Sequence, residues 1–591
     1  SIGKWPINYD PIINPQNNLE RRNLVLKLML EQGKITQEQF NESYDTPITL
    51  ADGTDEEYSE TVHSYYIDAV MDDVIADLMA KYGYDKTTAS NMLYSGGLQI
   101  VTCLDPEIQS DAEEVYTNKD YWPENKGMQA QSAICIMEPK TGNLLAIVGG
   151  LGEKKESRGF NRATHAKRQC GSSIKPLSVY APAIESGLYT GGDAVDDIPQ
   201  GYNEETNEHW PSNAGRSYKG KVSLDYAIQT SLNTIAVITC NKLGIDNVFE
   251  NLLSYGYTTL VESKKLDNGL IVSDKGASPL ALGGLTYGVT VREHTQAYAT
   301  LANNGITSKA RTYSVVRDSR GRVILSNDEQ HEVKYSEATA AIMTNLLTNV
   351  VSGSNGTARR SITIDDELGI KVAAKTGTTN DNKDVYFCGY TPDLLGCVWY
   401  GYDNNKTVSD SKSAAILWDA VFTKIYERYE DSGVKFSKEF TLPPSVVANV
   451  EYCTVSGKKP TEACRRDLYD MQGGSGCIAT GVFSIYNVPT EECDAHVMVK
   501  WDQVTGGICV DGCSCPMENI IEVGLRKITL DDRNIEGKAY IGDSQYTCTD
   551  LPVGYIYPTD PDVPYYQNLF TEENEYAFGI STSTRPANRV C

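Results

Sequence analysis

Three short strings in a fixed order constrain this 591-residue chain more than its composition does: GSSIKP at 171–176, SLN at 231–233 and KTGTT at 375–379. Together they spell Ser-x-x-Lys, Ser-x-Asn and Lys-Thr-Gly. Such a series provides a nucleophile, its base and an anion-binding strand without histidine.

Each string alone is weak. Ser409–Lys412 and Ser456–Lys459 also fit Ser-x-x-Lys, and Lys140-Thr141-Gly142 repeats the third motif. Context separates them. Ser409 and Ser456 lie in polar, turn-like stretches with no apolar helix following. Lys140-Thr141-Gly142 follows Pro139 between AICIM and LLAIV, which reads as the tip of a hairpin.

Ser172 follows Gly171 and precedes IKPLSVYAPAIESG, an apolar run that predicts one helix closed by Gly187. Ser172 would open that helix, where free N–H groups favour developing negative charge. Lys175 would lie one turn on, on the same face. In a desolvated cleft its ammonium pKa should fall, so that the neutral amine can take the serine proton. Taken alone, the same residues also describe an N-cap serine and a surface lysine; the ordered series favours the catalytic reading.

Lys375–Thr379 follows IKVAA and precedes DVYFCGYTP and LLGCVWYGYD, which read as consecutive antiparallel strands. Lys375 offers positive charge to a carboxylate, and Thr376 and Thr378 offer hydroxyls. Gly377 would let a substrate backbone approach, and an extended peptide could add along the strand.

The chain resembles the transpeptidase portion of a class A (bifunctional) penicillin-binding protein. The blocks that carry the resemblance are RGFNRATHAKRQCGSSIKP (158–176), VSLDYAIQTSLNTIAV (222–237), ALGGLTYGVTVREHTQAYATLANNG (281–305) and KTGTTNDNKDVYFCGYTPDLLGCVWYGYD (375–403), with GGLQIVTCLDPEIQSDAEE (96–114) upstream. The resemblance implies the penicilloyl-serine-transferase fold, an α+β domain with a five-stranded antiparallel sheet between helical groups. It also implies roles. Ser172 is the acylated nucleophile and Lys175 its base. Ser231 and Asn233 complete the hydrogen-bond network. Lys375, Thr376, Gly377 and Thr378 form the substrate-binding strand, and the backbone N–H groups of Ser172 and Thr378 form the oxyanion hole. Three positions depart from the family's usual residues: Cys170 for Pro, Ile174 for Phe and Ala374 for Gly. None removes a catalytic group.

The resemblance further implies peptidoglycan stem peptides as substrates, a D-Ala-D-Ala donor and an amine acceptor, and β-lactams as covalent mimics of the donor. It implies no organic cofactor and no metal. SIGKWPINYDPIINPQNNLERRNLVLKLMLEQGKITQEQF at the start resembles the end of the family's glycosyltransferase domain, so glycosyltransferase activity is expected to be absent from this chain. The parent is expected to be anchored in the cytoplasmic membrane by a missing N-terminal helix and to act outside it, in the cell envelope, beside other cell-wall synthesis proteins.

A net charge of −26 argues against nucleic acid or an anionic membrane surface as the main partner. The six histidines are scattered, with no HExxH and no paired metal spacing, which weakens zinc-hydrolase and Ser-His-Asp readings. No apolar run approaches the length of a membrane span.

The expected organisation is 1–57, the end of a glycosyltransferase domain with a helical linker; 58–128, a linker or pedestal; 129–440, the transpeptidase domain; and 441–591, a Cys-rich, β-rich region of unknown role. LERRNLVLKLMLEQG predicts a helix ended by Gly33, and Thr36 with Gln39 a capping box. VHSYYIDAVMDDVIADLMAKYG predicts a helix ended by Gly83. Thr290 with Glu293 predicts another capping box, on a helix that stops at Asn303-Asn304-Gly305.

Of fifteen cysteines, nine lie after residue 441. In an extracytoplasmic protein this predicts disulfide staples, with Cys453, Cys464, Cys477 and Cys493 the foremost participants. CVDGCSC (509–515) reads as a further small loop; it lacks the second half and nearby histidine of a metal site.

The reading is a D,D-transpeptidase that cross-links peptidoglycan. Two alternatives stand beside it. A serine β-lactamase shares the motifs, but the Glu of an E-x-x-L-N string between the second and third is missing. A non-enzymatic β-lactam sensor would acylate without turnover.

Overall fold

The computed structural model describes residues 14–47, 62–123, 128–203, 208–215, 218–509 and 514–527, with Tyr9, Pro11 and two short strands at 555–556 and 589–590. The chain divides into two compact units, Ser1–Thr61 and Val62–Cys591. The first holds two helices, Pro15–Glu31 and Gln37–Asp45. Gly33 follows the first in the left-handed region, at φ +68°. Thr36 and Gln39 cap the second reciprocally, as their spacing predicts.

In the second unit the central sheet begins with the hairpin β1 (Gln131–Met137) and β2 (Leu144–Val148). Gly142 makes the turn at φ +80°. A Cβ there would sit 2.3 Å from the Lys309 carbonyl oxygen, so only glycine fits. The chain then leaves the sheet for a helical stretch that includes α1 (Leu224–Gln229), α2 (Asn233–Leu243), α3 (Val291–Ala302) and α4 (Glu337–Ser352). It returns as β3 (Ala373–Thr378), β4 (Asp384–Tyr390) and β5 (Leu395–Gly401), and continues into α5 (Ser413–Ser432). The spatial order is β3-β4-β5-β1-β2, antiparallel throughout. This leaves β3, the strand of the third motif, on an edge.

β4 and β5 are buried along their whole length because helices cover both faces. Tyr386 points to α3, where its ring meets His294 edge-on at 5.6 Å. Its neighbour Phe387 points the other way, to Trp418 of α5 at 5.3 Å. Gly389 and Gly396 make room there for Trp418 and Phe422; a Cβ at Gly396 would lie 2.6 Å from the Phe422 ring. Cys135, Cys397 and Cys388 lie side by side across three strands, fully buried, as core residues.

The pedestal is woven into this domain. The helix Tyr65–Tyr82 ends at Gly83 in the left-handed region. Its Tyr66 hydroxyl donates to the carbonyls of Leu144 and Thr312 at 2.7 and 2.9 Å. Asp73 receives both terminal nitrogens of Arg292 at 2.7 and 2.8 Å. Gln99–Thr102 joins Tyr313–Arg317 and Val323–Ser326 in a separate sheet.

After residue 441 the chain forms β6 (Val446–Cys453) paired with β7 (Ile478–Ser484), and β8 (His496–Asp502) paired with β9 (Ile520–Lys527). β7 packs on the catalytic region. Gly191 and Gly192 admit it: a Cβ on either would lie 2.5 Å from Val482 O or the Phe483 ring. Cys453, Cys464, Cys477 and Cys493 come together, as the staple idea requires, but as four buried thiols and not as two disulfides. Residues 510–513 of CVDGCSC, and Cys548 and Cys591, lie outside the described residues. Among the described residues no helix is long and apolar enough to cross a membrane.

Candidate active site

The helix expected after Ser172 is not a single α-helix. Gly171–Ile174 is one 3-10 turn, Pro176–Tyr180 is a π-helical turn, and only Ala181–Glu185 is α-helical before Gly187 at φ +73°. Ala181 N–H donates to Pro176 O, five residues back. Pro182 has no N–H to return to Ser178 O, which removes one rung of an α-ladder and suits the wider turn. The long row of aligned peptide dipoles expected behind Ser172 is thereby broken up.

What holds the Ser172 turn in place is close packing against β3. Gly171 has φ +55°, and a Cβ there would lie 2.6 Å from Thr378 O. A Cβ on Gly377 would lie 2.2 Å from Cys170 O and 2.8 Å from Ser173 Oγ. Gly377 was expected to make room for a substrate backbone. The space its side chain would fill is instead taken by the turn that carries Ser172. Beneath the turn, Ser173 Oγ donates to Cys170 O at 2.7 Å and lies 2.8 Å from His294 Nε2. His294 Nδ1 meets the Tyr257 hydroxyl at 2.7 Å. Burial lowers the His294 pKa to about 3. Tyr298 OH donates to Ser173 O at 2.5 Å.

The second motif sits between α1 and α2. Ser231 bends the chain there at φ +59°, a left-handed conformation that costs a serine on the order of 1 kcal/mol. Its placement brings two lysines together. Lys175 Nζ donates to Ser231 O at 2.7 Å, Asn233 Oδ1 at 2.8 Å and Leu232 O at 3.1 Å, with Ser231 Oγ at 3.4 Å. Lys375 Nζ donates to Ser231 Oγ at 2.9 Å and to Thr376 O at 3.1 Å. Both lysines are fully buried. Desolvation first, and the charge of Lys375 second, hold Lys175 well below the usual lysine range. Desolvation brings Lys375 down to about 7.

Several supports carry no short sequence signature. Asn213 Oδ1 accepts from the Asn233 N–H at 2.9 Å, and Asn213 Nδ2 donates to buried Asp197 at 2.7 Å. Asp197 also accepts from Thr234 Oγ1 at 2.5 Å and from the Lys219 N–H at 2.9 Å. Asn233 Nδ2 donates to Ser212 O at 2.9 Å. Thr357 Oγ1 lies 2.7 Å from Thr376 Oγ1.

The three motifs meet in a cleft of about 630 Å³ whose wall includes Ser172, Ser231, Asn233, Thr357, Thr376 and Thr378. The two lysines lie behind that wall. Another cavity, of about 390 Å³, is lined by Thr344, Tyr390, Phe440, Asn449 and Val482 and contains none of the motif residues. Ser409 and Ser456, the decoys, do not line the cleft.

The comparison with known proteins agrees with this geometry. A family model for the penicillin-binding protein transpeptidase domain matches residues 132–427. Penicillin-binding protein 1A of Clostridium botulinum is 30% identical over 509 residues, covering 83% of this chain and 58% of its own length. Penicillin-binding protein 1F of Bacillus subtilis is 31% identical over 440 residues, covering 74% of this chain and 57% of its own. The chain thus spans a little over half the length of these relatives. Among solved structures, penicillin-binding protein 1A from Haemophilus influenzae has the same fold, with a TM-score of 0.58 at 20% identity over 83% of this chain and 85% of that one. PonA1 from Mycobacterium tuberculosis in complex with penicillin V gives 0.50 at 24% identity, over 64% and 95%. With the serine turn and the edge strand lining one cleft, the paired lysines behind its wall, and half its length matched to the domain, this chain belongs to the penicillin-binding protein transpeptidase family.

Proposed function

We propose that the chain is a serine-type D,D-transpeptidase that cross-links peptidoglycan stem peptides and is acylated by β-lactams. One observation carries the reading: Lys175, buried and held low in pKa, reaches Ser231 and Asn233, while Lys375 meets the same Ser231 hydroxyl.

Ser172 Oγ attacks the carbonyl between the two D-Ala residues of a donor stem. Its proton passes to the neutral amine of Lys175. An ester forms at Ser172, the amide C–N bond breaks, and D-Ala leaves with a proton returned through the Lys175 and Ser231 network. An amine from a neighbouring stem then attacks the ester and regenerates Ser172. The N–H groups of Ser172 and Thr378 hold the developing oxyanion. Lys375, Thr376 and Thr378 hold the terminal carboxylate, whose charge raises the Lys375 pKa and keeps it protonated when substrate is bound. Since β3 is an edge strand, its outward backbone groups can pair with an extended donor. The enzyme acts outside the cytoplasmic membrane.

Mass spectrometry of the intact chain after brief penicillin treatment tests this. One drug mass should appear, on the peptide containing Ser172, and Ser172→Ala should remove it without loss of fold. Label on Ser409 or Ser456 would overturn the assignment.

A further inference from the structure

The four buried cysteines of the C-terminal region converge on one histidine. Cys453 ends β6, Cys464 lies in the helix Glu462–Arg465, and His496 opens β8 three residues after Cys493. The Sγ atoms of Cys493, Cys464 and Cys453 lie 3.3, 3.6 and 3.7 Å from His496 Nδ1. These four atoms are all within 4.8 Å of one another. A neutral imidazole nitrogen has one lone pair and can accept one S–H bond, so three sulfurs around it are not explained by hydrogen bonding. Their distances match the edges of a four-coordinate metal site. With metal–sulfur bonds near 2.3 Å and a metal–nitrogen bond near 2.05 Å, a tetrahedral edge from N to S is about 3.6 Å. A disulfide would instead bring two sulfurs to about 2.05 Å and leave the imidazole without a role.

We propose that Cys453, Cys464 and Cys493 through Sγ, and His496 through Nδ1, bind one divalent zinc ion as a structural centre. Three thiolates and one imidazole are the donor set that zinc prefers in closed, four-coordinate sites. Binding releases three thiol protons to solvent and needs no oxidant. The surroundings suit thiolates: the Thr461 N–H donates to Cys464 Sγ at 3.4 Å. Among the described residues His496 Nε2 is buried with no hydrogen-bond partner, and a ring nitrogen of His496 lies within 4.8 Å of Asp467, whose carboxylate is fixed by Arg526 at 2.5 Å. Cys477 stands beside the set, directing Sγ to Cys464 O at 3.3 Å, and is not one of the four ligands.

The cluster joins β6 and the helix Glu462–Arg465 to β8, and its interior is the cysteines themselves, with Val455, Ile478 and Ala495 packed against them among the described residues. A metal there would add a link between β6 and β8 to the packing of Leu468 on Trp501, Val523 and Leu525 and to the buried Asp467–Arg526 pair.

The test is metal analysis of the full chain, purified without chelator and then given zinc and dialysed. About one zinc ion per chain is expected, and cobalt in its place should give the intense visible bands of tetrahedral thiolate coordination. Cys464→Ser, Cys493→Ser and His496→Phe should each take zinc close to zero, while Cys477→Ser keeps it. Because a ligand variant can fail to fold, the wild-type chain supplies an independent reading. Chelator should expose three further thiols to a thiol reagent and lower the midpoint of thermal unfolding of this region, and zinc should reverse both. Two disulfides among the four cysteines, with no bound metal, would overturn the proposal. So would loss of zinc in Cys477→Ser with retention in His496→Phe. Penicillin labelling of Ser172 reports separately on the catalytic region.

Discussion

Lys175 and Lys375 direct their Nζ atoms at the same hydroxyl, that of Ser231, at 3.4 and 2.9 Å. Two ammonium groups sharing one buried hydroxyl cannot both stay charged cheaply, and Lys375 is part of what depresses Lys175. Replacing Lys375 by Met should therefore raise the Lys175 pKa. In the proposed mechanism the neutral amine takes the serine proton, so the acid limb of the acylation rate should move to higher pH. Penicillin acylation rates across pH, wild type against Lys375→Met, read this directly. An unmoved limb would mean that another group sets it.

Lys175→Ala should slow acylation by about two to four decades, the usual cost of losing a general base. Stopped-flow acylation with a chromogenic cephalosporin measures it. Near-normal acylation would assign the proton to another group.

Gly377→Ala should damage the site without touching a catalytic group. Its Cβ would lie 2.2 Å from Cys170 O, so the Ser172 turn must move away from β3. A loss of about 1–3 kcal/mol in stability is expected, with slower acylation. Gly284→Ala, which meets nothing within 4 Å, should be near neutral. Equal effects from the two would count against close packing as the role of Gly377.

His294 should act as a positioning residue with an acid-sensitive signature. Its pKa is about 3 in the folded state, below the ordinary value of 6.5. The unfolded chain thus binds the proton first. Stability from this group is full above about pH 6.5 and is lost as pH falls toward 3, by on the order of a few kcal/mol. His294→Phe, which leaves Ser173 and Tyr257 without their partner, should be less stable at pH 7 and lose less between pH 7 and pH 4. Urea unfolding at the two pH values compares the slopes, and parallel losses would remove His294 as the source.

Much of this architecture was legible from neighbours in the chain. The capping boxes at Thr36 and Thr290, the helix end at Gly83 and the hairpin at Gly142 all depend on contacts within about five residues. The apolar runs of β4 and β5 mark strands covered on both faces. Ser172, Lys175 and Lys375, the proposed nucleophile, base and strand lysine, stood out because the three motifs keep one order. The interruption of the helix after Ser172 was partly written in Pro176 and Pro182, but an apolar run of that length reads as α-helix unless each N–H is traced.

What the sequence determined alone is therefore the local conformations and the chemical groups, since backbone sterics, capping and side-chain period act over short separations. Only the tertiary structure decided what those groups meet. Asn213 and Asp197 behind Asn233 and Thr357 beside Thr376 come from loops and strands outside the motifs, and His294 under Ser173 from 121 residues further along the chain. Gly377 looked like room for substrate until Cys170 was seen to occupy it. Cys453 and His496 are 43 residues apart, and no regular spacing announces their contact. Such meetings depend on how sheets and loops pack to bury apolar surface, and that packing is a property of the whole chain.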